Sequence, residues 1–230
     1  MKKIPTHLAI IIDGNRRWAE KKGLPVFEGH RQGLKKVKKI AEWCKERGVK
    51  ILTLFAFSTE NWSRPKAEVN HLMRLLGEAF AKSNIEQANK KGIKIQIIGQ
   101  RQRLPKYLQK IVEKAESLTK NNKAGVLNIA LSYGGRAEIT DAMRRMMKGN
   151  PRPPKRISEK LVEKHLWTAN LPSPDLIIRT GGEHRLSNFL LWQAAYSELY
   201  FSKKYWPDFT ERDLDKAFET YVIRQRRFGK

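Results

Sequence analysis

Along this chain short apolar runs alternate with longer stretches in which apolar residues recur every three or four positions. Leu8 to Ile12 ends in three isoleucines and reads as a buried strand. Val49–Phe57, Ile93–Ile98, Val126–Leu131 and Asp175–Ile178 have the same character. Between them the period becomes helical. A short helix over Ala19–Gly23 precedes Pro25, and a longer one runs from Gly29 to Arg47 with Leu34, Val37, Ile40, Ala41 and Cys44 on one face. Pro65 suits the first position of a helix reaching Lys91, striped by Val69, Leu72, Met73, Leu76 and Phe80. Further helices are predicted after Pro105 to Thr119, over Ala137–Met147, behind an N-cap at Ser158, and over Glu211–Arg226. Asn150 to Pro154 reads as a surface loop, and Phe189 to Phe201 as an aromatic, apolar stretch carrying one acid, Glu198. Strands alternating with helices predict one α/β domain over residues 1–230, with a mostly parallel central sheet of about six strands flanked by helices.

Three strand ends carry polar residues that a core does not need: Asp13-Gly-Asn-Arg-Arg-Trp18, Ser58-Thr-Glu-Asn-Trp-Ser-Arg64 and Arg179-Thr-Gly-Gly-Glu-His-Arg-Leu-Ser187. Taken singly, each could be a capped turn with a solvated basic face. In a parallel sheet, however, all three fall on the rim where such folds bind ligands. Together they supply Arg17, Arg64, Arg179 and Arg185 with Asn15, Ser58 and Ser187, a set suited to one or two diphosphates. A carboxylate at Asp13 among these guanidiniums pairs with them or holds a cation, and Mg²⁺ bridging it to phosphate oxygens is the economical reading. Trp18 and Trp62 add aromatic surface for a substrate with an apolar part. His30 and His184 stand near basic residues beside the rim and are candidate contacts, whereas His7, His71 and His165 read as structural. The glycine-rich phosphate loops and the H-E-x-x-H zinc motif are absent.

Charge changes the range of partners to consider. The 230 residues include 47 Lys plus Arg against 23 Asp plus Glu, a formal charge of +24 that points to polyanions: nucleic acid, an anionic membrane surface or phosphorylated substrates. The single cysteine, Cys44, excludes an intramolecular disulfide and any multi-cysteine metal site. The apolar run after Lys2 and Lys3 is too short for a secretion signal, and no run approaches membrane-spanning length, so a cytoplasmic protein is expected.

The motifs Asp13-Gly-Asn-x-Arg-Trp-Ala, Gly29-His30, Ala56-Phe-Ser-x-Glu-Asn-Trp-x-Arg-Pro65, Tyr133-Gly-Gly-Arg136, Arg179-Thr-Gly-Gly-Glu-His-Arg-x-Ser-Asn-Phe-Leu-Leu-Trp-Gln193, Glu198-Leu-Tyr-Phe201, Trp206-Pro-Asp-Phe209 and Arg226-Arg-Phe-Gly229 resemble the cis-prenyltransferases, most closely the bacterial undecaprenyl diphosphate synthases. The resemblance covers essentially the whole chain. It implies that isopentenyl diphosphate is condensed onto an allylic diphosphate, typically farnesyl diphosphate, with each new double bond cis. It also implies residue roles. Asp13 and Glu198 would hold Mg²⁺, and Gly14, Asn15, Arg17, Trp18 and His30 would surround the allylic substrate. Arg179, Arg185, Leu186 and Ser187 would take isopentenyl diphosphate. Ser58, Thr59 and Glu60 would belong to a mobile loop, with Asn61 as proton acceptor and Trp62 and Arg64 as substrate contacts. The helices near 29–47 and 66–91 would wall an apolar tunnel for the growing chain, in which a small residue, Ala56, accompanies medium-length products. A homodimer is implied as well.

Two positions depart from the family pattern. Arg16 stands where bacterial members usually have glycine, and Val26 stands where an arginine usually precedes the Gly-His pair by three residues. Arg16 is therefore expected to replace part of the missing allylic contact. Among the rival readings, nucleic-acid binding is disfavoured because the basic residues are scattered on helices rather than grouped in a motif. A non-catalytic partner subunit is disfavoured by Asp13, and a short-chain or head-to-middle condensing enzyme shares the fold. Contact of the basic surface with an anionic membrane is expected to help a long polyprenyl product leave.

Overall fold

The computed structural model describes residues 4–148 and 156–224. Among these residues six strands form one sheet: β1 (His7–Ile11), β2 (Ile51–Ser58), β3 (Ile93–Ile98), β4 (Gly125–Tyr133), β5 (Leu176–Arg179) and β6 (Glu198–Phe201). Their order is β3-β4-β2-β1-β5-β6, and every pairing is parallel. The run in β1 is apolar at every position after His7, as expected of a strand covered on both faces.

Among the described residues seven helices lie between the strands and an eighth follows the last: α1 (Asn15–Lys21), α2 (Val26–Glu46), α3 (Lys66–Ala79), α4 (Lys82–Lys90), α5 (Lys106–Thr119), α6 (Gly135–Lys148), α7 (Glu159–His165) and α8 (Glu211–Ile223). On one face of the sheet Leu8, Ile10 and Leu54 pack with Ile40 and Cys44 of α2 and with Leu214 and Phe218 of α8. Farther along that face Ile95, Ile97, Ile129 and Leu131 pack with Val69, Met73, Ile85, Leu108 and Val112. Ala9, Ile11, Phe55 and Ala130 face the other way, onto Tyr133, Phe189 and Leu190.

Several expected boundaries shift. The Asn-Arg-Arg-Trp segment is the first turn of α1 rather than a loop, because Gly14 alone, at φ 104°, turns the chain. Helix α2 starts at Val26, directly after Pro25. The helix expected from Pro65 to Lys91 is two: Ala81 is extended (φ −55°, ψ 147°), and the Asn84 side-chain amide donates to the carbonyls of Glu78 and Ala79 at 3.3 and 3.2 Å, which caps α3. No glycine or proline marks that break. The sixth strand lies within the aromatic stretch after Phe189, where alternation was too brief to show. Ser158 does cap α7, its hydroxyl accepting from the Leu161 N–H at 3.2 Å. The loop at 150–154 and the Arg226–Gly229 motif fall outside the described residues.

Candidate active site

Strands β2, β1 and β5 are adjacent in the middle of the sheet, with Phe55, Ile11 and Arg179 in register across it. Their carboxyl ends therefore deliver Ser58, Asp13 and Arg179 to one rim, as the sequence pattern predicts. Beneath this rim a cavity of about 850 Å³ runs between the sheet, α2 and α3. Asp13, Asn15, Arg16, Arg17, His30, Asn61, Arg64, Arg179 and Ser187 line its mouth, and Leu34, Val37, Leu54, Leu72, Leu76, Ala79 and Phe80 line its body. Ala56 lies in the wall. The apolar stripe on α3 thus serves the cavity with Leu72 and Leu76 and the core with Val69 and Met73.

Asp13 is the hub of the mouth. Its carboxylate lies 2.8 Å from the buried Arg179 guanidinium and 3.1 Å from Arg17. The Thr180 hydroxyl accepts from its backbone N–H (3.0 Å) and donates to its carbonyl (2.7 Å). Burial pushes the Asp13 pKa up, but Arg179 and Arg17 outweigh it and hold the carboxyl below the usual range, so it stays ionised. Gly181, at φ 91°, permits this packing, since a Cβ there would sit 2.8 Å from Arg17 and 3.3 Å from the Asp13 carboxyl carbon. Arg179 also reaches the Ser187 hydroxyl (2.7 Å) and the Arg185 carbonyl, and so sets the loop after β5. Ser187 and Asn188 take left-handed φ values of 48° and 65° there.

Glycines set the second side of the mouth. A Cβ on Gly29 would meet the Asn15 carbonyl at 2.1 Å, and one on Gly33 would meet the Asn15 side-chain oxygen at 2.4 Å. These two positions let α1 lie against α2 and place Asn15 in the cavity wall, its buried Oδ1 without a hydrogen-bond partner. A buried acceptor facing a cavity is a natural contact for a ligand donor or a bridging water.

The segment after β2 is a 3-10 turn, Thr59–Ser63. The Asn61 amide oxygen accepts from the Ser58 N–H at 3.0 Å. Asn188 donates to Glu60 at 2.8 Å, and the Trp62 indole donates to the Ser132 hydroxyl at 2.8 Å. Glu60 is pushed up by burial but held low overall, chiefly by the Asn188 bond.

Not every predicted contact reaches the cavity. Trp62 packs edge-on against Phe57 under the Arg103 guanidinium. Trp18 turns away, its indole bonded to Asp208 at 2.7 Å beneath Lys22. Arg185 is exposed and pairs with Glu183 at 2.6 Å, Leu186 packs on the core under the loop, and His184 stacks on Phe201. Gly14, beneath Tyr205, does line the cavity, whereas the Thr59 hydroxyl bonds to the Glu60 carboxylate at 3.0 Å. Glu198 is not brought to Asp13 within one chain. It opens β6 opposite Leu176, three residues or about 10 Å along the strands from the Arg179 end, and its carboxylate faces Arg224 at 3.4 Å. A motif order that places both acids near strands does not say which end of the strand each occupies.

The family model described as "Putative undecaprenyl diphosphate synthase" matches residues 11–229. The chain belongs to the undecaprenyl diphosphate synthase family of prenyltransferases. It is 50% identical over 228 residues to an isoprenyl transferase of Fusobacterium nucleatum, covering 99% of this chain and 97% of that one. It is 47% identical over 230 residues to a ditrans,polycis-undecaprenyl-diphosphate synthase, (2E,6E)-farnesyl-diphosphate specific, of Legionella pneumophila, covering 99% and 96%. Among solved structures, lavandulyl diphosphate synthase from Lavandula x intermedia, in complex with dimethylallyl diphosphate, superposes with a TM-score of 0.94 at 41% identity over 99% of both chains. A probable undecaprenyl diphosphate synthase from Campylobacter jejuni superposes at 0.82 with 35% identity over 100% of both.

Four residues at this mouth lie outside the expected set. Glu183 bridges Arg17 (3.0 Å) and Arg185, and Thr180 and Asn188 fix the two loops. Glu68 lies buried behind Arg16, His30 and Arg64. Thr180, Glu183 and Asn188 lie within the Arg179–Gln193 motif, whereas the one trace of Glu68 in the sequence is its spacing of four residues from Arg64.

Proposed function

We propose that this prenyltransferase elongates farnesyl diphosphate with successive isopentenyl diphosphates, forming cis double bonds and a product of about undecaprenyl size. The observation that carries the reading is an ionised carboxylate ringed by guanidiniums at the mouth of an 850 Å³ cavity whose body is apolar. Charge binds at the mouth and hydrocarbon fits below. In each cycle the bond between the allylic C1 and its diphosphate oxygen breaks, and the isopentenyl double bond attacks C1. A proton is then lost from the isopentenyl C2, so the balance is one longer prenyl diphosphate, one diphosphate and one proton.

Arg17 and Arg64 face the departing allylic diphosphate, and their fixed charges stabilise the negative charge that develops on it. Arg16 supplies a further guanidinium where Val26, at the start of α2, supplies none. Arg179, Ser187 and the loop they hold receive isopentenyl diphosphate. Asn61 lies near the proton to be lost. An amide is a weak base, and its oxygen is already bonded to Ser58, so the released diphosphate takes the proton with Asn61 orienting the donor.

Mg²⁺ fits this donor set. Among the described residues no three His, Cys, Asp or Glu side chains gather into a cage, but one ionised carboxylate plus phosphate oxygens and water is how this ion is commonly held. Asp13 would hold it, and Glu198 would not join from the same chain. Bound Mg²⁺ would neutralise charge on the diphosphates.

The protein is proposed to act as a homodimer in the cytoplasm, with its basic surface meeting anionic bilayers. No helix among the described residues is long and apolar enough to cross a membrane. Incubation with labelled isopentenyl diphosphate, Mg²⁺ and a panel of allylic primers tests the reading. Undecaprenyl-sized product from farnesyl diphosphate is expected, and no elongation of any primer would overturn it. The close superposition on lavandulyl diphosphate synthase favours one second reading, a short-chain condensation of dimethylallyl diphosphate, which the same panel resolves. Light scattering and flotation with anionic against neutral liposomes test the assembly and membrane expectations.

A further inference from the structure

Beside the cavity mouth, but not in its lining, one acid is buried against two guanidiniums and a histidine. Glu68 stands in the first turn of α3 and is 6% exposed. Its Oε1 receives His30 Nε2 at 3.2 Å and Arg64 Nη1 at 3.1 Å, and its Oε2 lies 3.6 Å from Arg16 Nη1. Those three partners come from α2, from the end of the 3-10 turn and from α1, and each of them lines the cavity. A carboxylate buried without partners would be costly, and the two guanidiniums and the imidazole N–H offset that cost. In return, the acid fixes where three otherwise independent side chains point.

We infer that Glu68 is a positioning residue for the allylic diphosphate, aiming Arg16, His30 and Arg64 into the cavity without touching the ligand itself. The inference rests on the allylic reading of this mouth given above. Arg16 and Arg64 are long side chains with much rotamer entropy, and an unbraced guanidinium must be ordered at the moment of binding. Bracing from behind places that ordering in the folded state. It also gives Arg16 a defined place, although it is 48% exposed at its side chain and has no other ion pair among the described residues.

Two roles for Glu68 predict opposite signs. Neutralising the acid raises the net positive charge beside the ligand. If Glu68 only balances charge or staples helices together, Glu68→Gln should leave diphosphate affinity unchanged or tighter. If it aims the cations, the same change weakens affinity despite the added charge.

The experiment measures binding of farnesyl diphosphate to the full chain by calorimetry in the absence of isopentenyl diphosphate, with steady-state kinetics alongside. Glu68→Gln is expected to raise the Kd for farnesyl diphosphate about tenfold, the worth of one charge-assisted hydrogen bond. The KM for isopentenyl diphosphate is expected to stay within about twofold. Glu68→Asp, which keeps the charge but shortens the reach, is expected to fall between. In an Arg16→Gln, Arg64→Gln background, adding Glu68→Gln is expected to cost less than about twofold more, because its effect passes through the missing groups. Unchanged or tighter binding, equal losses for both substrates, or full additivity in the double background would overturn the inference. Should Glu68→Gln not fold, Glu68→Asp carries the same comparisons. A chain that binds farnesyl diphosphate but never elongates it would sink the proposed function and leave this inference standing.

Discussion

Asp13 is fixed by two guanidiniums and a threonine hydroxyl, whereas Leu76 and Ala79, on the wall of the same cavity, are held only by the packing of α3. The mouth is determined by directional bonds between loops distant in sequence. The body is determined by volume. Directional networks fail when one member changes, because the partner is left buried and unsatisfied. Apolar walls tolerate exchange of one side chain for another, at the cost of a changed shape. Mutations at the mouth should therefore abolish chemistry, and mutations in the body should redirect it.

The sharpest break is Asp13→Asn. It preserves size but removes the charge that both Arg17 and Arg179 face, and elongation should fall about 1000-fold or more in kcat with the far-ultraviolet spectrum unchanged. A loss under tenfold would mean that the carboxylate is a structural partner of Arg179 and little else. Arg179→Lys should follow at about 100-fold in kcat/KM for isopentenyl diphosphate. An ammonium cannot serve Asp13, Ser187 and the Arg185 carbonyl from the fixed fork of a guanidinium.

In the body of the cavity the outcome changes kind. Ala56→Leu narrows the wall and should shorten the product, read by chromatography, while the first condensation stays within about threefold of the parent rate. Leu76→Ala should lengthen it. An unaltered product distribution in both variants would show that the cavity does not measure the chain.

The same contrast explains what could be read from the chain before its structure. Strand runs, the single parallel domain and the convergence of Asp13, Ser58 and Arg179 were legible, because periodicity fixes strands and parallel topology puts their ends on one rim. Where a side chain points within a loop was not. Trp18 and Trp62 have the residue type for a hydrocarbon contact, yet their indoles are spent on Asp208 and Ser132. Glu68 was hidden because a first-turn acid ordinarily serves its own helix, and its burial is created by three other elements. The end of α3 was hidden for a similar reason, since Asn84 caps it from the following helix.

The smallest expected effect asks whether acid enters the fold at the mouth or at the opposite end of the sheet. Two histidines are buried, His30 at the mouth and His7 at the opposite end of β1, and burial lowers the pKa of each below 6.5. His7 bonds the Pro172 carbonyl and the Thr53 hydroxyl, both at 2.7 Å, and the carbonyl can only accept, so Nδ1 carries the proton. A folded-state pKa below the unfolded one means that the unfolded chain takes up protons first. The stabilisation is therefore full above about pH 6.5 and is lost as pH falls through the folded values. Asp13, Glu60 and Asp213, whose pKa values are also depressed, act in the same sense but only near and below about pH 4. The interval between about pH 4.5 and 6.5 thus isolates the histidines, and the urea midpoint should be lower at pH 5 than at pH 7.5. His7→Gln should flatten that dependence more than His30→Gln, because His7 is the more deeply buried and its charged form is favoured only by the Pro172 carbonyl and the charge of Asp175, whereas Glu68 bonds His30 directly at 3.2 Å. If His30→Gln flattened it more, the mouth rather than the opposite end of the sheet would be the acid-sensitive part of the molecule.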